Sequence, residues 1–364
     1  MPLLADIDRL PLYFRAGGAV PARVGRSLTG QPAPAALPVA SVSAVSGSSG
    51  AAERDGVELT NLDQPLFEGA GATKRDLVEY LDGVRELILP ELEDRPLSVI
   101  RGHRGQEAFM QKNVPKYTPS WVRTVQFWAE TSKREVSYAL CNDRRTLRWF
   151  ANQRAVEYHP TLGRADQPER STHLVLDLHP PDPAGFPEAV RAAHLVRQAL
   201  ADARLQGAVK TSGAKGVHVF VPIDDMVSAE EATLATRAIA ARAARLDPAV
   251  ATTAFMKEDR EGKVFVDATR VGGATVVSAY SPRIQPGVPV SFPVAWDELD
   301  GVAPNDFTVH TARRHLDERN PWAEHMPPAQ QLSDDLVEEG RAIPAGRVEA
   351  MHEGKRRARA QRKE

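Results

Sequence analysis

His173-Leu174-Val175-Leu176-Asp177-Leu178-His179-Pro180 is the stretch on which the fold turns. It reads as a buried strand with two polar groups at its far end. Side chains alternate between faces along a strand, so Val175, Asp177 and His179 share one face and Leu174, Leu176 and Leu178 the other. Pro180-Pro181 stops the strand, because neither residue can donate to a ladder. An acid and an imidazole two residues apart could hold a metal ion. Taken alone, the stretch favours a strand end whose polar groups simply meet water.

Downstream, Phe186 to Leu205 has the stripe of an amphipathic helix. Val217 to Ile223 reads as an apolar strand, and Ser228-Ala229-Glu230-Glu231 as a capping box opening a helix to Leu246. Lys263 to Val266 reads as a strand ending at Asp267, and Thr275 to Ala279 as another. Pro286 to Pro293 is a Pro-rich turn, and 309–320 is expected to be helical. Upstream, Val57 to Asn61 opens the folded sequence. Thr73 is an N-cap for a helix over Lys74 to Leu89 that Pro90 ends. Strands are expected at Leu97 to Arg101, Ala108 to Lys112, Trp121 to Trp128, Val136 to Cys141 and Ala155 to Tyr158, with a helix at Arg145 to Gln153. Strands and helices mix without strict alternation, which favours an α+β layout.

Residues 1–55 are rich in Ala, Pro, Ser and Gly and read as a low-complexity, disordered extension, with Leu10 to Phe14 as a short docking strand. Residues 326–364 form a C-terminal segment with a basic tail from Lys355 to Lys363. Of 364 residues, 42% are hydrophobic and 26% charged, a balance typical of soluble globular chains, and no run is long enough for a membrane span. The net charge of -2 means that any nucleic-acid surface must be local. The single cysteine, Cys141, excludes an internal disulfide and suits a reducing cytoplasm.

Three clusters could carry chemistry. Asp177 and His179, joined by Asp267 from another strand end, could hold divalent ions for in-line phosphoryl transfer, or be solvated strand ends. Thr211-Ser212-Gly213-Ala214-Lys215-Gly216-Val217-His218 combines small residues with a hydroxyl, an ammonium and an imidazole. That is either a triphosphate nest or a tight strand–strand turn. Lys74, Arg101, His103, Arg104, Phe109, Lys112 and Lys116 interleave base and aromatic, as nucleic-acid surfaces do, or form a solvated face.

In their joint order and spacing these stretches resemble the polymerase domain of bacterial DNA ligase D, a branch of the archaeo-eukaryotic primase superfamily. The resemblance runs from about Val57 to Arg319. It is carried by Leu59-Thr60-Asn61, Phe109-Met110-Gln111-Lys112, Val156-Glu157-Tyr158-His159-Pro160 and His173 to Pro180, then by Thr211 to His218, Lys263 to Asp267 and Ala279-Tyr280-Ser281-Pro282-Arg283. It implies a primase-polymerase-like domain over 56–325, with an N-terminal part 56–165 and a catalytic core 166–300 of mixed and antiparallel sheets flanked by helices. Asp177, His179 and Asp267 take the catalytic metal-ligand positions. Ser212, Lys215, His218, Arg283 and His159 take nucleotide-binding positions. Asn61, Lys74, Phe109 and Lys112 take DNA-binding positions, with Asn61 and Lys74 at the 5′-phosphate of a broken end.

Three departures qualify this. His179 stands where the family has the second acid, Gln64 where it has a lysine of the phosphate pocket, and Thr161 where a tryptophan is common. Magnesium prefers oxygen ligands while manganese accepts nitrogen, so the expected cofactor is Mn²⁺ rather than Mg²⁺. No Lys-x-Asp-Gly adenylation motif occurs. The expectation is therefore a stand-alone, template-directed nucleotidyltransferase of break repair in the bacterial cytoplasm, at the nucleoid. Its expected partners are gapped or broken DNA, nucleoside triphosphates, a separate ATP-dependent ligase and a Ku-type end-binding protein. The alternative is a catalytically weakened relative that binds ends or nucleotides and supports a ligase.

Overall fold

The computed structural model describes residues 52–344, apart from 104, 130–132, 183–184, 272–273 and 317–318. The N-terminal extension with Leu10 to Phe14, and the basic tail, lie outside the described residues.

The chain opens with a small hairpin, β1 (Ala52–Arg54) and β2 (Val57–Leu59). Two helices follow, α1 (Lys74–Gly83) and α2 (Arg85–Leu92). Thr73 caps α1 in a complete capping box: its hydroxyl accepts from the Asp76 amide, and the Asp76 carboxylate accepts from the Thr73 amide at 2.7 Å. A single helix to Leu89 was expected. The ladder instead breaks at Val84, at φ -108° and ψ 10°, after Gly83, the weakest helix former of the run. Pro90 does not end the helix but lies in the last turns of α2.

The first sheet contains β3 (Leu97–His103), β4 (Gln106–Gln111), β5 (Thr124–Ala129), β6 (Arg134–Ala139) and β7 (Ala155–Pro160), with α3 (Arg144–Asn152) between β6 and β7. Its order is β4-β3-β6-β5, and β7 also pairs with β3. The second sheet contains β8 (His173–His179), β9 (Ala208–Thr211), β10 (Val217–Pro222), β11 (Ala251–Thr252), β12 (Val264–Asp267) and β13 (Pro293–Val294), in the order β11-β12-β8-β10-β9-β13. All its pairings are antiparallel except β11 with β12. The helices α4 (Phe186–Asp202) and α5 (Ala229–Leu246) pack on this sheet, and α6 (Pro321–His325) and α7 (Asp334–Ala342) complete the chain. This is the expected α+β arrangement of mixed and antiparallel sheets.

β8 lies inside its sheet, and Leu174, Leu176 and Leu178 are fully buried. One continuous apolar core runs from Val57 to Leu336 and joins both sheets. Two expectations fail. Thr275 to Ala279 is not a strand: it follows β7 only through the Val276 amide to Pro160 O and the Ser278 amide to Tyr158 O, with one bridge at Thr275. Among the described residues, 309–320 contain only the 3-10 turn Ala312–His315 rather than an α-helix. The first segment satisfies amides on non-local partners, which local pattern does not encode, whereas the second bonds within itself in tight steps, Arg314 to Thr311 O and Leu316 to Arg313 O. Among the described residues no helix is long and apolar enough to cross a membrane.

Candidate active site

Cross-strand register builds the site. Asp267 on β12 faces Asp177 on β8, Asp177 faces His218 on β10, and His218 faces Lys210 on β9. Directly opposed residues share a sheet face, so acid, acid, imidazole and amine form one transverse row over four neighbouring strands. His179, two residues beyond Asp177, lies on the same face, and its ring stacks on its cross-strand partner Phe265, 6.0 Å between centroids.

Asp177, His179 and Asp267 each offer one ligand atom, and these atoms all lie within 4.8 Å of one another. His179 Nε2 is 3.0 Å from Asp177 Oδ2 and 3.8 Å from Asp267 Oδ2. It is aligned for a hydrogen bond with neither. Nε2 of His179 and Oδ2 of Asp267 are buried and lack a hydrogen-bond partner among the described residues. Buried polar atoms without partners are costly, and two of them turned toward a common point are what a cation would satisfy. Two carboxylates with one imidazole suit a divalent ion that tolerates nitrogen, so the residues fit.

The remaining lone pairs are engaged. Asp267 Oδ1 accepts from the Thr269 amide at 2.8 Å and its hydroxyl at 2.6 Å. Asp177 Oδ1 faces His218 Nε2 at 3.2 Å, and Asp177 Oδ2 accepts from Arg270 Nε at 3.1 Å. Burial alone would raise the Asp177 pKa, but His179, His218 and Arg270 outweigh it and hold the carboxyl well below its usual range.

His218 belongs to a chain of buried polar groups. Lys210 Nζ donates to His218 Nδ1 at 2.8 Å and to Ser291 Oγ at 2.5 Å, and Ser291 Oγ donates to Thr211 O at 2.9 Å. Burial, then the nearby Lys210 charge, pushes His218 down to about 3. Burial, then Arg283, holds Lys210 well below the usual amine range. With Lys210 donating to Nδ1, the neutral ring keeps its proton on Nε2 and presents it to Asp177.

The Thr211 to His218 stretch forms the turn of the β9–β10 hairpin. Ser212 Oγ accepts from the Ala214 and Gly216 amides, at 3.2 and 3.0 Å. Gly213 has φ +68°, and a Cβ on Gly216 would lie 2.3 Å from Leu178 O, so both positions require glycine. Lys215 ion-pairs with Asp182 on the exposed rim. Arg283 donates to Ser212 O at 2.7 Å and pairs with Glu157 at 3.0 Å. Glu157 also meets His159 Nε2 at 2.8 Å and accepts from the Ile284 amide at 2.8 Å. Burial opposes ionisation of Glu157, yet Arg283 and His159 bring it down to about 2. His159 is fully enclosed, beneath the surface rather than on it.

In the N-terminal part, Lys74 is buried and donates to Thr60 O at 2.5 Å, next to Asn61. Arg154, also buried, donates to Gln64 Oε1 at 2.7 Å and to the carbonyls of Pro65 and Leu66. Among the described residues neither cation has a carboxylate partner. Burial, then the Arg154 charge, lowers Lys74 to about 8. Phe109, on the edge strand β4, is 41% exposed with Arg101 5.6 Å from its ring, and Lys112 follows directly.

The structure brings the expected trio Asp177, His179 and Asp267 within 4.8 Å of one another, and it sets Arg283 against the turn that carries Ser212, Lys215 and His218. Sequence reasoning missed Lys210, Arg270, Glu157 and Arg154. Glu157 stands in the Glu-x-His-Pro segment and had a signal. Arg270 and Arg154 had none.

Comparison with known proteins bears on the family and the fold. The family model described as the LigD primase-polymerase domain matches residues 73–322. The multifunctional non-homologous end joining DNA repair protein LigD of Mycobacterium tuberculosis is 34% identical over 268 residues, 70% of this chain and 35% of that protein. The bifunctional LigD of Bacillus subtilis is 31% identical, over 70% of this chain and 41% of its own length. The chain therefore spans well under half the length of the curated relatives it matches. The solved polymerase domain of Mycobacterium tuberculosis ligase D, in complex with DNA, superposes with a TM-score of 0.69 at 30% identity, covering 74% of this chain and 97% of that one. The chain belongs to the LigD primase-polymerase family.

Proposed function

We propose that the chain is a template-directed nucleotidyltransferase that adds nucleotides at DNA gaps or broken ends during end-joining repair. One observation carries the reading most: two buried acids opposed in register converge with His179 on one point beside a glycine-tight hairpin turn, and there His179 Nε2 and Asp267 Oδ2 lack a hydrogen-bond partner among the described residues. Asp177, His179 and Asp267 would hold a divalent ion, with Mn²⁺ favoured over Mg²⁺ because one donor is an imidazole nitrogen. Such an ion, when bound, neutralises phosphate oxygens and lowers the pKa of a primer hydroxyl.

The chain's own residues do the rest. Lys215 and Arg283 would bind and orient the incoming triphosphate, within reach of the hairpin turn that Ser212 shapes. Lys210 and His218 fix the Asp177 carboxylate in place. Glu157 aims Arg283 and holds His159. At the other end, Lys74 and Arg154 are two buried cations without an acid among the described residues, which suits the 5′-phosphate of a DNA end beside Asn61. Arg154 would supply the charge that Gln64 lacks. Phe109 offers a ring for a template base, with Lys112 near its backbone. A separate ATP-dependent ligase and a Ku-type protein, in a bacterial cytoplasm, complete the proposed setting.

The test is primer extension on a gapped duplex bearing a 5′-phosphate, with Mg²⁺ or Mn²⁺ and each nucleotide type. Extension with Mn²⁺ that Asp177→Ala abolishes is expected, and activity surviving that substitution would sink the metal site. Equal activity with Mg²⁺ would remove the manganese preference, whereas a large gain with Mg²⁺ in His179→Asp would identify His179 as the limiting ligand. The second reading, a weakened relative that binds ends without chemistry, is favoured by Arg270, whose guanidinium sits on Asp177. End binding without extension under every condition would establish it.

A further inference from the structure

The geometry points to Arg270 as a built-in cation lock on the acid pair: its guanidinium occupies the charge that a divalent ion would neutralise, and an ion enters by displacing it from Asp177. This rests on reading Asp177, His179 and Asp267 as a metal site.

Arg270 NH2 lies 2.8 Å from Asp177 Oδ2, and its Nε lies 3.1 Å from the same oxygen and 3.5 Å from Asp267 Oδ2. These are the two oxygens turned toward His179 Nε2. The other oxygen of each acid is engaged elsewhere, by His218 and by Thr269. The guanidinium is thus bound to the ligand atoms themselves, not to their outer lone pairs. Its side chain is 4% exposed, so the contact is shielded from water and salt.

Charge accounting gives the same answer. Two carboxylates carry -2, which one divalent ion balances. With Arg270 in place the pair retains only -1, and an incoming dication would leave the pocket with an excess positive charge. Arg270 stands three residues beyond Asp267, just after β12 ends, outside any regular element. Its backbone is therefore not held by a ladder, and the side chain can turn away without breaking the sheet. His179 acts in the same direction, since it brings a neutral donor where an acid would add charge. Arg270 sets metal affinity and is a positioning residue, not a group acting on substrate.

The experiment is calorimetric titration of MnCl₂ into the full chain, comparing wild type, R270Q and R270K, with thermal melts with and without Mn²⁺. Removing the competing guanidinium charge should let R270Q bind Mn²⁺ about tenfold tighter than wild type, the order by which a group beside a metal ligand alters affinity. Lysine keeps the charge but lacks the fork, so R270K should fall between them. Mn²⁺ should raise the melting temperature of R270Q more than that of wild type. Affinity in R270Q equal to or weaker than wild type overturns the lock. If R270Q fails to fold, R270K decides: tighter Mn²⁺ binding supports the lock and unchanged affinity overturns it. No Mn²⁺ binding by any of the three removes the metal-site reading itself. Wild-type binding that R270Q merely matches removes only the lock.

Discussion

The two halves of the molecule treat buried charge in opposite ways. In the second sheet, Asp177 and Asp267 are answered from within the chain by Arg270, His218 and the Thr269 amide. In the first half, Lys74 and Arg154 are buried near enough for the Arg154 charge to act on Lys74, and among the described residues no carboxylate answers either. A compensated site is stable alone, and its ligand has to displace something. An uncompensated one waits for its ligand to supply the missing charge. The difference teaches that the proposed chemistry and the proposed end recognition are separable, since each region has its own charge balance and its own proposed ligand.

The largest test of that separation is Asp177→Asn, which keeps the shape and removes the charge. Nucleotide addition should fall by at least about 100-fold, the order seen when one electrostatic group of an active site is lost. Binding of a 5′-phosphorylated DNA end, read by fluorescence anisotropy, should stay within about twofold of wild type. A parallel loss of both would show one coupled site and break the comparison.

Glu157 tests the compensated half through stability. It is the fully enclosed carboxylate shared by Arg283 and His159, and Glu157→Gln removes the acid from the partly buried Arg283 and from the buried His159. The expected loss is about 3–5 kcal/mol in urea unfolding. The sign with pH follows from the folded carboxyl at about 2. Its stabilisation is complete above the unfolded value of about 4.3 and is lost as pH falls toward 2. Glu157→Gln should remove that part of the acid limb, and a variant with wild-type stability and acid slope would show Glu157 to be idle. A smaller effect is expected at the exposed ring of Phe109. Phe109→Ala should weaken binding of a single-stranded template overhang by about 1–3 kcal/mol, the worth of one stacked base, without changing the melting temperature. Unchanged overhang binding would remove the edge strand β4 from the interface.

How much of this was legible in the sequence follows from what each feature depends on. β8 was legible because alternation and the Pro180-Pro181 stop are local. So was the grouping of its acid with Asp267, once both were read as strand ends. The hairpin turn was legible as one of two alternatives, a strand–strand turn or a nest, and the structure shows that turn. The break at Val84 was not legible, since the apolar stripe continues through it. Thr275 to Ala279 has strand composition, but it borrows partners from β7 instead of joining a ladder. Arg270 depends on an irregular turn after β12, and no periodicity places its head on Asp177. Arg154 is the clearest case. It has φ +60° in the turn between α3 and β7, and three hydrogen bonds to residues near 65 hold it there. Its meeting with Lys74 joins positions 80 apart, through the tertiary fold alone.

That meeting yields the smallest expected effect and the most discriminating one. Burial and the Arg154 charge bring Lys74 down to about 8, so it is a cation at neutral pH and loses its proton as pH rises through that value. A terminal phosphate is already a dianion there, since its second ionisation lies near 6. Any change in its recognition above neutrality therefore reports the protein. The preference for a 5′-phosphate over a 5′-hydroxyl should fall between about pH 7 and about pH 9, by no more than about tenfold, because Arg154 stays charged and keeps its share. Lys74→Gln should lower the preference at neutral pH and flatten its pH profile, and Arg154→Gln should lower it and move the fall to higher pH, because the Arg154 charge is one cause of the lowered Lys74 value. Anisotropy with paired oligonucleotides measures all three. A wild-type preference that is flat or rising with pH would mean that Lys74 does not meet the phosphate. A slope that persists in Lys74→Gln would assign it to another group, and the uncompensated pair would then be a feature of the fold rather than a site.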